Sequence, residues 1–183
     1  MQGRDTNSKT LENSVARMPK QVIPFSDFLV AAGASHEAFI NQLHIYLQKN
    51  DCVWKIREAA NGYVVSYIHK PSKRTVANYV FRKKIPMLRI YADNVSSYAD
   101  IVAQLPAAMK DAIKKGGDCS RLSDPNACNS RCLKGFDFIL DGERQQKCRC
   151  HMNFTFFMDD ESEPHLLEIM EREMRARVNP KII

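Results

Sequence analysis

The chain has 183 residues, of which 44% are hydrophobic and 26% are charged, and its formal net charge is +6. This length predicts one domain with a small appendage, with enough apolar material for a core that does not need disulfides. No stretch approaches the ~20 apolar residues of a membrane span, and the polar N-terminus has no apolar secretion segment. We therefore expect a cytoplasmic protein with no membrane partner, whose six cysteines are reduced thiols or metal ligands.

The N-terminal part of the chain begins with a polar, aperiodic segment. Residues 1–22 predict a disordered arm ahead of a single domain over residues 23–183. A short helical turn is expected at Ser26–Ala32. Ser35 then suits the N-cap of the first main helix, because apolar residues follow at helical spacing as far as Leu47.

Residues 52–92 change to the two-residue period of β-strands. The pattern predicts four strands, at Cys52–Glu58, Tyr63–His69, Thr75–Arg82 and Met87–Ala92. Asn61-Gly62 is a strong signal for the turn of a β-hairpin. Pro86 is expected in the last turn, where its missing N–H would cost no ladder hydrogen bond.

Two helices should follow the strands. The first is expected at Ser97–Gln104 and the second at Ala107–Lys115, with Pro106 at the favourable first position.

The C-terminal region contains a strand-like segment and an amphipathic segment. Asn153–Met158 predicts a strand, and Asp160 or Ser162 should cap a final helix that ends at Asn179-Pro180. Because the strands are grouped rather than alternating with helices, we predict an α+β fold. Its parts would be a four-stranded antiparallel meander packed with helices, a C-terminal cysteine-containing β-hairpin or strand, and the final helix.

Five of the six cysteines fall within residues 119–150, which we name the cysteine knuckle; they are Cys119, Cys128, Cys132, Cys148 and Cys150. Inside it, Phe136–Leu140 is strand-like and Asp141-Gly142 is a hairpin-turn signal. A hairpin brings its ends together, so the returning arm should place Cys148 beside Cys132. One knuckle, a hairpin and a second source of ligands make up the geometry of a zinc ribbon.

A structural zinc site needs four ligands, and the candidates are Cys128, Cys132, Cys148 and one of Cys119 or Cys150. His151 is a possible substitute ligand. In a regular strand Cys148 and Cys150 would point to opposite faces and would not easily bind one ion. The alternatives are buried free thiols, or an iron–sulfur cluster or redox pair, although no usual cluster spacing is present.

Residues 59–92 contain no Asp or Glu, yet they hold several lysines, arginines, tyrosines and a phenylalanine. A basic sheet surface with interleaved aromatic rings suits nucleic acid, and arginines also suit a small anionic ligand. The candidate ligand-binding residues are Tyr79, Arg82, Arg89 and Tyr91. The alternative is a solvated sheet face whose cations protect turns and edges.

The segment LRIYADN at 88–94 and the cysteine block CSRL…CNSRC…GFDFILDGERQQKCR resemble small uncharacterised proteins of Firmicutes, especially clostridia. The resemblance covers the last part of the chain from Asn78 onward. It implies no assigned activity and no catalytic residue. The order of sheet and helices is also similar to that of the YdhG-like and MmcQ-like α+β domains, which is a likeness of fold alone.

These observations predict a cytosolic bacterial domain with a non-enzymatic binding or regulatory role, stabilised by structural zinc. One alternative is a nucleic-acid-binding, transcription-linked protein that uses the basic sheet face. Another is a thiol-based redox protein or enzyme acting through Cys148, Cys150 or Cys119.

Overall fold

A computed structural model describes residues 22–129, 131–151 and 153–178 of the chain. Except for Val22, the predicted N-terminal arm lies outside the described residues, and so does the predicted helix end at Asn179-Pro180. Within those ranges the α+β fold is confirmed, with a five-stranded antiparallel sheet, a separate two-stranded hairpin and a long C-terminal helix.

The seven strands of the described residues are, in chain order, β1 (Cys52–Ala59), β2 (Gly62–His69), β3 (Arg74–Arg82), β4 (Ile85–Ile90), β5 (Phe136–Leu140), β6 (Glu143–Lys147) and β7 (Thr155–Phe157). The helices are α1 (Phe25–Ala32), α2 (Glu37–Lys49), α3 (Ala99–Ala103), α4 (Ala107–Lys115), α5 (Ser120–Ser123) and α6 (Ser162–Val178). Short 3₁₀ turns at Ala34–His36 and Val95–Tyr98 precede α2 and α3. Over the described ranges, none of the helices is long and apolar enough to cross a membrane.

The main sheet has the order β1-β2-β3-β4-β7, one strand more than the predicted meander. The extra strand is part of the segment that the sequence placed after the cysteines. It pairs antiparallel with β4, from Met87 opposite Phe157 to Arg89 opposite Thr155. This pairing joins distant parts of the chain, and strand periodicity alone does not specify such a partner.

The turn between β1 and β2 lies one residue earlier than the Asn61-Gly62 signal suggests. Ala59 pairs with Gly62, so Ala60 and Asn61 form the tip and Gly62 begins β2 with a φ of 141°. A Cβ atom on Gly62 would lie 2.9 Å from the ring of Phe81. The glycine is therefore required by packing against another strand as well as by its backbone conformation.

Pro86 lies within β4 and not in the turn, which corrects the sequence-based expectation. Lys83 and Lys84 have φ values of 50° and 65°, so these two lysines alone close the turn. Pro86 pairs opposite Phe81, one step beyond the pair that flanks the turn. Because paired residues alternate between hydrogen-bonded and non-bonded, the nitrogen of Pro86 faces away from β3. On that side the pairing with β7 starts only at Met87, so no ladder hydrogen bond is lost.

The two faces of the sheet are covered by different helices. Helices α1 and α2 pack on the face that carries Tyr67 and Tyr79, both of which are fully buried. The rings of Phe28 and Tyr79 are 5.1 Å apart there. On the opposite face, α4 lies against β7. This second face is the one that carries Arg89 and Thr155.

Helix α6 begins with a reciprocal pair of capping hydrogen bonds. The backbone N–H of Ser162 donates to Asp159 Oδ1 at 2.7 Å, and the N–H of Asp159 donates to Ser162 Oγ at 3.1 Å. Asp159 is thus the N-cap, in place of the predicted Asp160 or Ser162, and Ser162 supplies the reciprocal bond.

Replacing Asp159 with Ala should lower the free energy of unfolding by about 1 kcal/mol, because the N–H of Ser162 in the first turn of α6 loses its side-chain acceptor. Chemical denaturation monitored by circular dichroism measures this change. Asp160→Ala is the matched control, since the same charge is removed from an adjacent exposed residue that makes no such bond. Equal destabilisation by the two variants would contradict the assignment of the cap.

Candidate functional site

The predicted hairpin inside the cysteine knuckle is present as strands β5 and β6. Leu140 pairs with Glu143 across a turn in which Asp141 and Gly142 have φ values of 52° and 80°. The carboxylate of Asp141 also accepts hydrogen bonds from Lys114 at 2.7 Å and Lys110 at 3.0 Å. These lysines lower the pKa of Asp141 and tie the tip of the hairpin to α4.

The returning arm of the hairpin pairs with the segment that precedes α5. The N–H of Cys148 donates to the carbonyl oxygen of Gly117 at 2.8 Å. The N–H of Cys119 donates to the carbonyl oxygen of Gln146 at 2.7 Å. Cys119 and Cys148 are both buried by this pairing. Sequence spacing gave no sign of it, because the segment around Gly117 has no strand-like period of its own.

Cys132 has Cys150 as its nearest thiol neighbour, with the two Sγ atoms 3.1 Å apart. Strand β6 ends at Lys147, and the chain then turns so that the N–H of Cys150 approaches Cys148 Sγ at 3.4 Å. The strand alternation that was expected to separate Cys148 from Cys150 therefore does not apply. Cys150, one of the two candidates for the fourth ligand, thus contacts Cys132 where Cys148 was expected, and the other candidate, Cys119, is buried elsewhere.

The protonation of Cys132 depends on its sulfur neighbours. Its hydrogen bond with Cys150 raises the pKa of the Cys132 thiol, whereas the thiol of Cys128 acts in the opposite direction. Cys148 also raises the pKa of Cys132, so three other cysteines of the knuckle act on this one thiol.

The knuckle does not have the arrangement of a formed metal centre. Across the described ranges, no group of three or more His, Cys, Asp or Glu side chains could hold a metal ion. Thiolates around tetrahedral zinc lie about 3.8 Å from one another when each Zn–S bond is about 2.3 Å, and a disulfide bond is about 2.05 Å long. The 3.1 Å contact of Cys132 and Cys150 lies between these values and describes two free thiols that touch.

Tyr79 cannot contact a ligand at the surface, because its side chain is fully buried against α1. It was selected from the sequence together with Arg82 and Arg89, but it points to the opposite face of the sheet. The register shows why: Asn78 pairs with Arg89, so Tyr79 must lie on the other face. Alternation along β3 could have revealed this separation.

Arg82 and Arg89 share a face of the sheet but belong to different sites. Arg82, at the end of β3, lines a groove beneath α4. Arg89 donates to the carbonyls of Arg149 at 2.6 Å and His151 at 3.1 Å, which flank Cys150. Its guanidinium also lies 4.8 Å from the centre of the Tyr91 ring. Arg89 therefore holds the loop that carries Cys150 against the sheet.

A hollow of about 520 Å³ lies between this loop, the start of β3 and the end of β4. Its walls include Tyr91 and the touching thiols Cys132 and Cys150. No acidic side chain of the described residues lines it. We name it the cationic hollow, because its walls carry five cations: Lys73, Arg74, Arg89, Arg131 and Arg149.

Asp93 is the acidic group nearest to these cations, and it is shared among several of them. Its carboxylate pairs with Arg177 at 2.8 Å and Arg74 at 3.4 Å, and it also contacts Arg149. Burial lowers the pKa of Arg149 to about 10, with the positive charges of Arg74 and Arg177 adding to the effect. A single carboxylate therefore leaves the hollow with an excess of positive charge.

The sequence pointed to Arg89 and Tyr91 but missed Lys73, Arg74 and Arg131 as parts of the same site. They lie in a turn and in the cysteine knuckle, so only the folded chain brings them together. The absence of acidic residues between 59 and 92 was the usable signal, since it marks the positive side of the domain.

Reactivity should separate the six thiols in protein that has been treated with a chelator. Burial raises the pKa of Cys52 to about 11, so it should be the last to react with a maleimide at pH 8, whereas exposed Cys150 should react early. Time-resolved mass spectrometry of labelled peptides measures the order. The control is the unfolded protein, in which all six should react at similar rates. Equal rates for Cys52 and Cys150 in the native protein would contradict the described burial.

Comparison with known proteins adds no relative to these observations. No family model, no curated protein and no solved structure matches the chain. The resemblance to clostridial proteins therefore stays a prediction, and function has to be argued from the geometry of the site.

Proposed function

We propose that this protein is a non-enzymatic binding domain whose cationic hollow binds a small phosphate-bearing ligand. The observation that carries the proposal is the convergence of five cationic side chains on a hollow of about 520 Å³ with no acidic residue of the described chain in its walls. Guanidinium groups present parallel N–H donors that match phosphate oxygens, so arginines in such a hollow favour that class of anion.

The cations of the hollow divide into a fixed set and an available set. Arg74 and Arg149 are held by Asp93, and Arg89 is held by backbone carbonyls. The side chains of Lys73 and Arg131 make no hydrogen bond or ion pair with any other described residue. The fixed set supplies a preformed positive field, and the available set can close on a bound anion at a small cost in conformational freedom.

A small ligand is favoured over nucleic acid because the described residues of the hollow offer no stacking platform. Base stacking needs aromatic rings with free faces. Tyr67 and Tyr79 are buried on the other side of the sheet, and the ring of Tyr91 already has Arg89 over it. The nucleic-acid alternative is retained as an outcome of the binding experiment.

We also propose that the knuckle binds one structural zinc ion through Cys132, Cys150, Cys148 and Cys128. The contact between the Sγ atoms of Cys132 and Cys150 and the N–H of Cys150 that approaches Cys148 Sγ at 3.4 Å support this set, because they bring three of the four sulfurs close together. The ion would require the sulfurs to move from contact to tetrahedral spacing. A cytosolic location would keep these thiols reduced and able to bind metal.

The double variant Lys73→Gln/Arg131→Gln should weaken binding of pyrophosphate about tenfold or more, because two available cations are lost. Isothermal titration calorimetry measures the affinity. The matched control is Lys55→Gln/Arg57→Gln, which removes the same charge from β1, away from the hollow. Equal loss in both variants, or no binding of pyrophosphate to the parent protein, would refute the proposal. Tighter binding of a short single-stranded RNA than of pyrophosphate would favour the nucleic-acid alternative instead.

Protein purified without chelator should contain about one zinc per chain, and chelation should lower its melting temperature. Elemental analysis by mass spectrometry measures the metal, and the double variant Cys132→Ser/Cys150→Ser should lose it. Cys52→Ala is the control, since Cys52 lies in β1 outside the knuckle and should leave the zinc content unchanged. A metal-free parent protein would exclude zinc and would leave the anion-binding proposal standing on its own test.

A further inference from the structure

A second cavity, independent of the cationic hollow, lies between α4 and the outer face of the sheet. It is a groove of about 550 Å³, a size typical of pockets for small molecules. Met87 and Met109 form buried parts of its wall, and Phe157 leaves 48% of its surface exposed beside it. The side of α4 that faces the groove carries Ala108 and Ala112, whose small side chains leave the space open.

The wall at one end of this groove includes Thr155, whose buried hydroxyl group has no partner among the described residues. Thr155 is 6% exposed and lines the groove, and its Oγ1 makes no hydrogen bond with the rest of the described chain. A buried polar group that is left unpaired costs free energy, so an unpaired hydroxyl in a cavity wall indicates a position for a ligand atom.

The same end of the groove carries a positive charge. Gly116 and Gly117, which follow α4, pack against Asn153 and His151, so the C-terminal end of α4 lies beside the start of β7. Lys115 lines the groove there, and its side chain makes no ion pair or hydrogen bond among the described residues.

The opposite end of the groove is less suited to an anion. Arg82 lies there without an ion pair within the described ranges, but the Asp159 carboxylate lies there too. That carboxylate is held by the N–H of Ser162 in the cap of α6. Its negative charge opposes an anion at this end, whereas the exposed ring of Phe157 offers apolar surface.

We infer that the groove binds an amphipathic carboxylate, with its apolar chain along Met87, Met109 and Phe157. The carboxylate accepts hydrogen bonds from Thr155 Oγ1 and Lys115 Nζ. The polar group of the ligand thus lies at the start of β7, and its apolar chain runs towards the end of β7. This orientation matches the distribution of charge and apolar surface along the groove.

Octanoate is a suitable probe, and 1-octanol is its matched neutral partner. Titration of isotope-labelled protein followed by ¹H–¹⁵N NMR should show octanoate shifting amide signals at 115–117 and 155–157, with at least about tenfold weaker binding of 1-octanol. Octanoate shifts confined to other parts of the chain, or equal affinity for the two probes, would overturn the inference.

Thr155→Val tests the hydroxyl directly. It should weaken octanoate binding about tenfold and leave 1-octanol binding unchanged, because it keeps the shape of the wall and removes only the donor. The thermal stability of this variant should not fall, since the hydroxyl has no partner to lose within the described protein. Unchanged affinity for octanoate in the folded variant would refute the role of Thr155.

Two further variants complete the test. Lys115→Gln should weaken octanoate binding several-fold, whereas Lys49→Gln, a lysine in the last turn of α2, should have no effect. Ala112→Phe places a ring in the groove from the side of α4 that faces it and should abolish binding of both probes. Full binding by Ala112→Phe would place the ligand elsewhere and overturn the inference.

Discussion

The carboxylate of Asp93 joins three separate parts of the chain, because it pairs with Arg74 of β3, Arg149 after β6 and Arg177 of α6. Its neighbour in this network is Glu173, which is fully buried and accepts hydrogen bonds from Tyr98, Asn94 and Arg177. Removing one partner of a buried charge pair is strongly destabilising, since the remaining charge stays without compensation. The loop after β4 is therefore the point to which the sheet, the cysteine knuckle and the last helix are all attached.

This attachment explains how a loop with little regular structure can form one wall of a defined hollow. Arg89 holds the carbonyls on both sides of Cys150, and Asp93 holds the side chain of Arg149. The position of Cys150 is thus fixed from the sheet, which is why it, and not Cys119, lies beside Cys132. The proposed zinc site and the proposed anion site share this wall, so metal binding in the knuckle would be expected to stabilise the hollow.

The pleat of the sheet separates two surfaces that look like one in the sequence. The aromatic residues of β2 and β3 lie close in the sequence to the arginines of β3 and β4, but the large tyrosines Tyr67 and Tyr79 face α1 and α2. The arginines Arg82 and Arg89 face the other way, towards the groove and the hollow. A surface that combined base stacking with phosphate contacts is therefore not formed by these strands, which favours small anionic ligands for both cavities.

The sequence by itself determined the local structure: the periods of the strands, the limits of α4, the turn at Asp141-Gly142 and the positive side of the domain. These depend on neighbours in the chain, whose chemistry local patterns describe directly. The pairing of β7 with β4, the return of Cys148 beside Gly117 and the contact of Cys132 with Cys150 were decided only by the tertiary structure. Each joins residues far apart in the chain, and spacing along the sequence does not specify which distant edges will meet when apolar surface is buried.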